Sequence, residues 1–330
     1  MRDARYRLRA FGPDDVPAQT GILNRLTPER PTTVEQVRFE DEYAHTPPMV
    51  CRQLAVDEVA TGRMVASGGV VTPPDGIGLG NFWVGVGVDP DHQGRGIGRD
   101  LSEVLDAVAN EVGARRLWAS ARIDEPRALR FLQMQGFAEK LRNWESCLDV
   151  STGAAIDTEL GPLPPAEGVE FTTLAEEGPD DATVIDRVYA LAAAAMAEIP
   201  RMGPYVPLTR EQFVGMMMRG PGFLPKAFFL ARAGGRYVGM SNLERVAAEP
   251  DTLNLLLTAT APDFRRKGVA LELKRREIRF AKERGYRAVR TWNDSLNHRI
   301  WAINERLGYR RERETIWAEK LLSTSAGPTV

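Results

Sequence analysis

Ile97, Leu101, Val104, Leu105, Val108 and Val112 recur at intervals of three and four residues. That spacing lays apolar side chains along one stripe of a helix. Just ahead of them "FWVGVGV" (82–88) is short and apolar throughout, which reads as a buried strand. Between strand and helix stands "HQGRGIG" (92–98), with three glycines at alternate positions. Each glycine costs roughly 0.5–1 kcal/mol in regular structure relative to alanine, so this loop has a use that offsets the cost.

The same order returns later. "LNLLLTAT" (253–260) predicts a second strand, and a Gly-containing turn and a helix follow it. An offset of 172 lays residues 89–137 over 261–309 without a gap. Ten of these 49 positions are identical, among them Pro90/Pro262, Gly96/Gly268, Gly113/Gly285 and Gly136/Gly308. Pairing at average composition gives about three, so the chain carries a duplication. Gly113 and Gly285 stand where a helix end favours a left-handed residue. Short strands ("RRLWASA", "YRAVRTW") and a second helix ending in "QGF" or "LGY" complete each copy. Hairpin-like pairs precede them at 51–71 and 226–246. In the second copy Arg276 and Glu277 replace Val104 and Leu105, so that helix is expected to bury a narrower or rotated face.

"RYRLRAFGPDD" and "GVEFTTLAEEGPDD" open the two halves alike, a strand followed by Asp residues suited to start a helix. The segment between them, rich in Gly, Pro and Ser, has no periodicity. The expected organisation is an N-terminal domain at 1–150, a linker at 151–167 and a C-terminal domain at 168–330. A formal net charge of −2 argues against nucleic acid or a membrane surface as partner. Two widely spaced cysteines, Cys51 and Cys147, argue against a disulfide framework or a thiolate metal site, and no metal is expected. No run approaches 18 apolar residues and the first residues lack a signal core, so a cytoplasmic protein is expected.

A strand feeding a Gly-containing loop that opens a helix turns backbone N–H groups toward one point, an anion site suited to a phosphate or pyrophosphate. The nucleotide P-loop string G-x-x-x-x-G-K-[ST] is absent, and a dinucleotide G-x-G-x-x-G begun at Gly94 fails at Arg99. The pattern [QR]-x-x-G-x-[GA] fits both copies, as "QGRGIG" (93–98) and "RRKGVA" (265–270).

With that loop in both, the two halves resemble the GNAT N-acetyltransferase superfamily, whose acyl-CoA signature it is. The whole chain is similar to tandem GNAT proteins, the architecture of mycothiol synthase-like and some antibiotic-modifying acetyltransferases. The resemblance implies an α/β (α+β) fold, with a mixed, mostly antiparallel sheet flanked by helices in each domain. The strand before the loop and the strand after its helix should splay to admit the pantetheine arm. It implies acetyl-CoA as co-substrate, held by Gln93, Gly94, Arg95, Gly96, Ile97 and Gly98 with Val86 and Val88 in the first half. In the second half the matching residues are Arg265, Arg266, Lys267, Gly268, Val269 and Ala270 with Thr260 and Asn297. The backbone N–H of Thr258 would stabilise the oxyanion, a contribution of about 3 kcal/mol.

The sequence also departs from the family. Its usual tyrosine on the last helix is Leu132 or Asn304 here, its strand carboxylate is Phe82 or Asn254, and Glu125 replaces the CoA-contacting asparagine. Glu244 and Asp294 are the candidate bases that remain, and Tyr205 in a Pro-rich loop could line the acceptor site. The tryptophans are expected in the core. The second half, with Asn297 and its threonines, is expected to carry the working site. The expected reaction is acetyl transfer to a primary amine of a small molecule by direct attack in a ternary complex, by a monomer or homodimer. A CoA-binding sensor without chemistry and a protein or peptide amine acetyltransferase are the alternatives.

Overall fold

The computed structural model describes residues 1–151, 168–199 and 201–322. The expected linker therefore lies, from residue 152 on, outside the described residues. The first half runs β1 (Tyr6–Ala10), α1 (Val16–Leu26), α2 (Val34–Ala44), β2 (Cys51–Glu58), β3 (Met64–Val71), β4 (Asn81–Val88), α3 (Ile97–Glu111), β5 (Arg116–Arg122), α4 (Pro126–Met134) and β6 (Ala138–Asp149). The second runs β7 (Glu170–Thr173), α5 (Leu174–Glu177), α6 (Ala182–Met196), α7 (Arg210–Met218), β8 (Phe223–Ala233), β9 (Arg236–Arg245), β10 (Thr252–Thr260), α8 (Val269–Glu283), β11 (Ala288–Asp294), α9 (His298–Arg306) and β12 (Arg310–Leu321).

Two compact units form. Unit 1 holds Met1–Leu141, Gly203–Val206 and the chain from Thr315; unit 2 holds Arg142–Met202 and Pro207–Glu314. Each has a six-stranded mixed sheet whose last strand comes from the other half of the chain. In unit 1 the order is β1-β2-β3-β4-β5-β12, and β12 pairs β5 from Thr315↔Arg122 to Leu321↔Arg116. In unit 2 the order is β7-β8-β9-β10-β11-β6, and β6 pairs β11 from Asn143↔Asp294 to Asp149↔Ala288. All pairs within the units are antiparallel except β4·β5 and β10·β11. The exchanged strands are anchored by burial: Trp317 meets Trp83 edge-on at 5.0 Å in unit 1, and Trp144 meets Trp301 at 5.6 Å in unit 2.

The apolar stripe of α3 folds as expected, with Ile97, Leu101, Leu105 and Ala109 buried against Val56, Val65 and Phe82. The matching face of α8 is wider rather than narrower, with Leu271 and Arg275 buried beyond the positions that α3 buries. It buries Val269, Leu273, Ile278 and Ala281, and it takes Lys274 and Glu277 into the interior with them, at 1% and 0% exposure. One further expectation is corrected: Trp292 is 63% exposed rather than in the core. Tyr205 belongs to unit 1, where neighbouring Val206 donates its N–H to the Asp75 carbonyl at 2.9 Å.

Candidate functional site

The parallel pairing of β4 with β5 lasts only from Asn81↔Arg116 to Trp83↔Trp118, while β4 itself runs on to Val88. Likewise β10 pairs β11 only from Thr252↔Ala288 to Leu255↔Thr291 and continues to Thr260. Beyond those points each strand has an antiparallel partner on one side only, β3 or β9. The splay expected between the strands is therefore present in both units. A bulge between Leu255 and Leu257 marks where β10 leaves β11, and Leu256 is exposed there.

Each splayed strand runs into a short turn, Pro90–His92 or Pro262–Phe264, and then into the glycine loop. Gly96 and Gly268 are the N-caps of α3 and α8, with φ/ψ of 82°/−6° and 82°/−4°. The two caps thus share one left-handed backbone geometry. Neither glycine offers a side-chain cap, so the first-turn N–H groups of both helices remain available to an anion. A Cβ added to Gly268 would meet nothing within 4 Å, and one added to Gly96 would meet only Arg99 Nη2 at 3.6 Å. The loops thus leave open space where a pyrophosphate would lie. Gly94 also has positive φ, 75°, and its counterpart Arg266 keeps the shape at φ 62°. Among the described residues Arg266 is the non-glycine in that region, a strain of about 1–2 kcal/mol.

The surroundings of the loops differ. In unit 1 Arg95 is exposed but held by the fold, donating to Tyr6 Oη at 2.9 Å and the Asp91 carbonyl at 2.8 Å, and Gln93 donates to the Val88 carbonyl. Val86 and Val88 pack against the core, and Phe131 of α4 lies close by Gly98. In unit 2 the positions of Val86 and Val88 are Thr258 and Thr260. Thr258 Oγ1 lies 2.7 Å from Ser241 Oγ on β9, and the Thr260 hydroxyl is buried without a hydrogen-bond partner. Arg265 pairs with Glu198 at 2.8 Å and donates to the Thr260 carbonyl, and Lys267 Nζ sits 4.7 Å from the Phe264 ring. Val269 is buried and Ala270 half-buried.

The remaining sequence-picked residues are also fixed. Glu244 stands across from Asn254, which donates to it at 3.4 Å, at the end of β10 that is still paired with β11. Asp294 accepts the N–H groups of Leu296 and Asn297 at 2.8 and 2.9 Å, so its carboxylate organises the turn into α9. Asn297 caps α9 without a side-chain hydrogen bond to the helix, leaving its amide free of that duty. Asn304, in the tyrosine position, is buried and donates to Asn293 at 2.8 Å, and Asn293 donates to Ser146 at 2.9 Å.

Sequence reasoning did not foresee a cavity of about 460 Å³ in unit 2, beside Thr260, Ala261 and Pro262. One face of α6 lines it with Arg187, Leu191 and Glu198, and Arg236, Tyr237 and Arg265 close it. No local motif marks it, because its walls come from three separate elements. A second unforeseen group is Asp41, His45 and Cys51 in unit 1, whose candidate ligand atoms lie within 4.8 Å of one another. His45 Nδ1 is engaged by the Asp41 carbonyl at 2.8 Å, and burial holds the Cys51 thiol up at about 11. No helix among the described residues is long and apolar enough to cross a membrane.

An α/β fold with a splayed parallel pair and an N-capping glycine at the mouth defines an acyl-CoA-dependent acyltransferase. The comparisons agree. The model of the acetyltransferase (GNAT) family matches residues 20–137 and 196–309, and the chain belongs to that family, which uses acetyl-CoA. It is an acyl-CoA-dependent N-acetyltransferase with two GNAT domains. A mycothiol acetyltransferase of Streptomyces bingchenggensis is 29% identical over 223 residues, 67% of each chain. Another from Acidothermus cellulolyticus is 31% identical over 155 residues, 46% of this chain and 41% of the relative. Among solved structures, a tandem GNAT protein from the clavulanic acid biosynthesis pathway superposes with a TM-score of 0.75 at 18% identity, covering 98% of this chain and 100% of that one.

Proposed function

We propose that this enzyme moves the acetyl group of acetyl-CoA to a primary amine of a small molecule, by direct attack in a ternary complex in unit 2. The observation that carries this is the conjunction, in one unit, of the uncapped α8 N-terminus at Gly268, the one-sided edge of β10 at Thr258–Thr260 and the cavity beside them. Acetyl-CoA is the co-substrate, with no metal. Its pyrophosphate lies on the N–H groups of 268–270, with Arg265, Arg266 and Lys267 supplying charge. Its pantetheine adds to the free edge of β10 as an extra strand, and Asn297 meets it from α9. The Thr258 N–H takes the carbonyl oxygen as it becomes an oxyanion.

The acceptor is a small molecule that meets the thioester at Thr258, and the 460 Å³ cavity beside Thr260, which shares Arg265 with the cofactor path, opens on the same end of β10. Glu244, opposite Asn254 and four residues along β10 from Thr258, takes the amine proton through water, and Asp294, committed to its turn, is the second candidate. The loop of unit 1 (Gln93–Gly98 with Val86 and Val88) holds CoA structurally. The protein works in the cytoplasm, without nucleic acid or membrane, as a monomer or homodimer. Calorimetry with acetyl-CoA, followed by thiol release with a panel of primary amines (an amino sugar, a polyamine, an aminoacyl amide), tests the reading. Tight binding with no thiol released for any amine would identify a sensor instead.

A further inference from the structure

The interior of unit 2 contains polar groups that its fold does not need. Lys274 and Glu277 point from α8 into the core, and Tyr309 joins them from the segment leading into β12 at 3% exposure. Lys274 Nζ, both carboxylate oxygens of Glu277 and Tyr309 Oη are buried without a hydrogen-bond partner. Lys274 Nζ stands 5.6 Å from the centre of the Tyr309 ring. Lys274 and Glu277 attract each other, yet burying such groups without hydrogen bonds still costs several kcal/mol, which a purely structural core would shed.

The duplication supplies the control. Under the 172-residue offset Lys274, Glu277, Tyr309 and Thr258 correspond to Ser102, Leu105, Phe137 and Val86. Ser241, which pairs with Thr258, corresponds to Gly68, which pairs with Val86. Every one of these changes makes the second copy more polar, and they converge on one line. At its outer end Thr258 is half-buried on the free edge of β10. Its Oγ1 lies 2.7 Å from Ser241 Oγ, which is fully buried. Behind Ser241 lies Glu277, near enough for the hydroxyl to favour the carboxylate form; neither carboxylate oxygen makes a formed hydrogen bond to it, so this last link closes by a small side-chain movement.

We propose that Glu277 is the proton source for the departing CoA thiolate, delivered through the hydroxyls of Ser241 and Thr258. This rests on the transferase reading of unit 2, and it fills the role left open where Asn304 stands in place of a tyrosine. As the amine nitrogen bonds to the thioester carbon, the C–S bond breaks and its electron pair stays on sulfur. The thiolate takes the Thr258 Oγ1 proton, Thr258 takes that of Ser241, and Ser241 takes that of Glu277. The amine's own proton leaves to Glu244 or solvent, and Glu277 is reprotonated along the same hydroxyls after CoA departs.

Burial, the largest influence, pushes the Glu277 carboxyl above the usual range, while Lys274 and Ser241 pull it back. Burial likewise pushes Lys274 down, against the attraction of Glu277. A carboxyl that keeps its proton near neutrality is the form an acid requires. The groups facing it are Lys274 from α8, Ser241 from β9 and Tyr309 before β12, with Cys147 of β6 acting on Tyr309.

The test is thiol release from acetyl-CoA with the amine panel, measured against pH, for wild type, Glu277→Gln, Thr258→Val and Thr258→Ser. Removing a general acid costs about 10²–10⁴-fold. Glu277→Gln and Thr258→Val should therefore each lower kcat about 100-fold with the KM for acetyl-CoA unchanged, and both should abolish the alkaline fall in activity. Thr258→Ser keeps a hydroxyl and should recover most of the kcat lost in Thr258→Val, together with the alkaline limb. Thr258 is half-buried, so its variants remain informative even if Glu277→Gln fails to fold. Wild-type transfer that Thr258→Val leaves within twofold, with the alkaline limb intact, overturns the proton route alone. Wild-type protein that releases no thiol with any amine overturns the transferase reading and the route with it.

Discussion

Gly268 permits a quantitative test of where acetyl-CoA sits. Its φ of +82° is a left-handed conformation, and a Cβ there meets nothing within 4 Å. A substitution therefore acts through backbone strain and through the charge it brings, not through a clash. Gly268→Asn and Gly268→Asp share the strain, about 1 kcal/mol, because both side chains tolerate this region better than most. They differ by one carboxylate. At about 6 Å from a pyrophosphate charge and an effective dielectric between about 40 and 80, that carboxylate costs about 0.7–1.4 kcal/mol for each charge. Two charges give about 1.5–3 kcal/mol, or roughly 10- to 100-fold in Kd. Isothermal titration calorimetry with acetyl-CoA should show Gly268→Asn within about tenfold of wild type and Gly268→Asp weaker than Gly268→Asn by that further ratio. The ratio should shrink as salt is raised. Equal affinities for the Asp and Asn variants, in folded proteins with matching Tm values, would remove the pyrophosphate from this loop. The matched pair at Gly96 asks the same of unit 1, with the carboxylate's effect blunted by Arg99, whose Nη2 lies 3.6 Å from the added Cβ.

Arg266→Gly relieves a φ of 62° and should stabilise the fold by about 1 kcal/mol, a rise in Tm of about 2–4 °C by scanning calorimetry, while removing one positive charge from the loop. Trp317→Ala, a change in the last strand of the chain, should destabilise unit 1 by roughly 2–3 kcal/mol because Trp317 packs on Trp83; native-state hydrogen exchange should show the loss in β4 and β5 rather than in β10 and β11. Treatment with a chelator should leave acetyl-CoA binding and Tm unchanged. A fall that Cys51→Ser reproduces would instead assign a metal to Asp41, His45 and Cys51. With its thiol held up at about 11, Cys51 should resist iodoacetamide at pH 8 in the folded protein and react fully in denaturant, as mass spectrometry of the alkylated peptide would report.

What the sequence disclosed follows the range of the physics involved. The strand, loop and helix of each copy are local patterns, and β4, α3, β10 and α8 form where the period and the glycines place them. The splay was foreseeable through the family resemblance, and the strand registers bear it out. The exchange of β6 and β12 was not legible, because a strand's alternation says which face it buries and not whose edge it joins. The cavity beside Thr260 escaped for the same reason, since its walls meet only in the folded unit. Glu277 was misread by rule. A charged residue in an apolar stripe normally marks the stripe's edge, yet here the helix keeps its face and carries the charge inside. Trp292 errs in the opposite direction, an apolar residue left outside.

The two copies therefore diverged in complementary ways. Unit 1 keeps glycine at both left-handed positions of its loop, yet packs Val86 and Val88 on the core beside its free strand edge and brings Phe131 close to Gly98. Unit 2 accepts the strain of Arg266 and the burial of Lys274, Glu277 and Tyr309. Both liabilities cost stability, and each puts charge or protons beside the same strand edge. Drift alone has no reason to collect polar changes along one line from α8 through Ser241 to Thr258 while leaving Leu273, Ile278 and Ala281 buried on the same helix. A unit that only held CoA would gain nothing from a buried carboxyl at the end of that line. A unit that must also release CoA thiolate gains a proton where one is consumed.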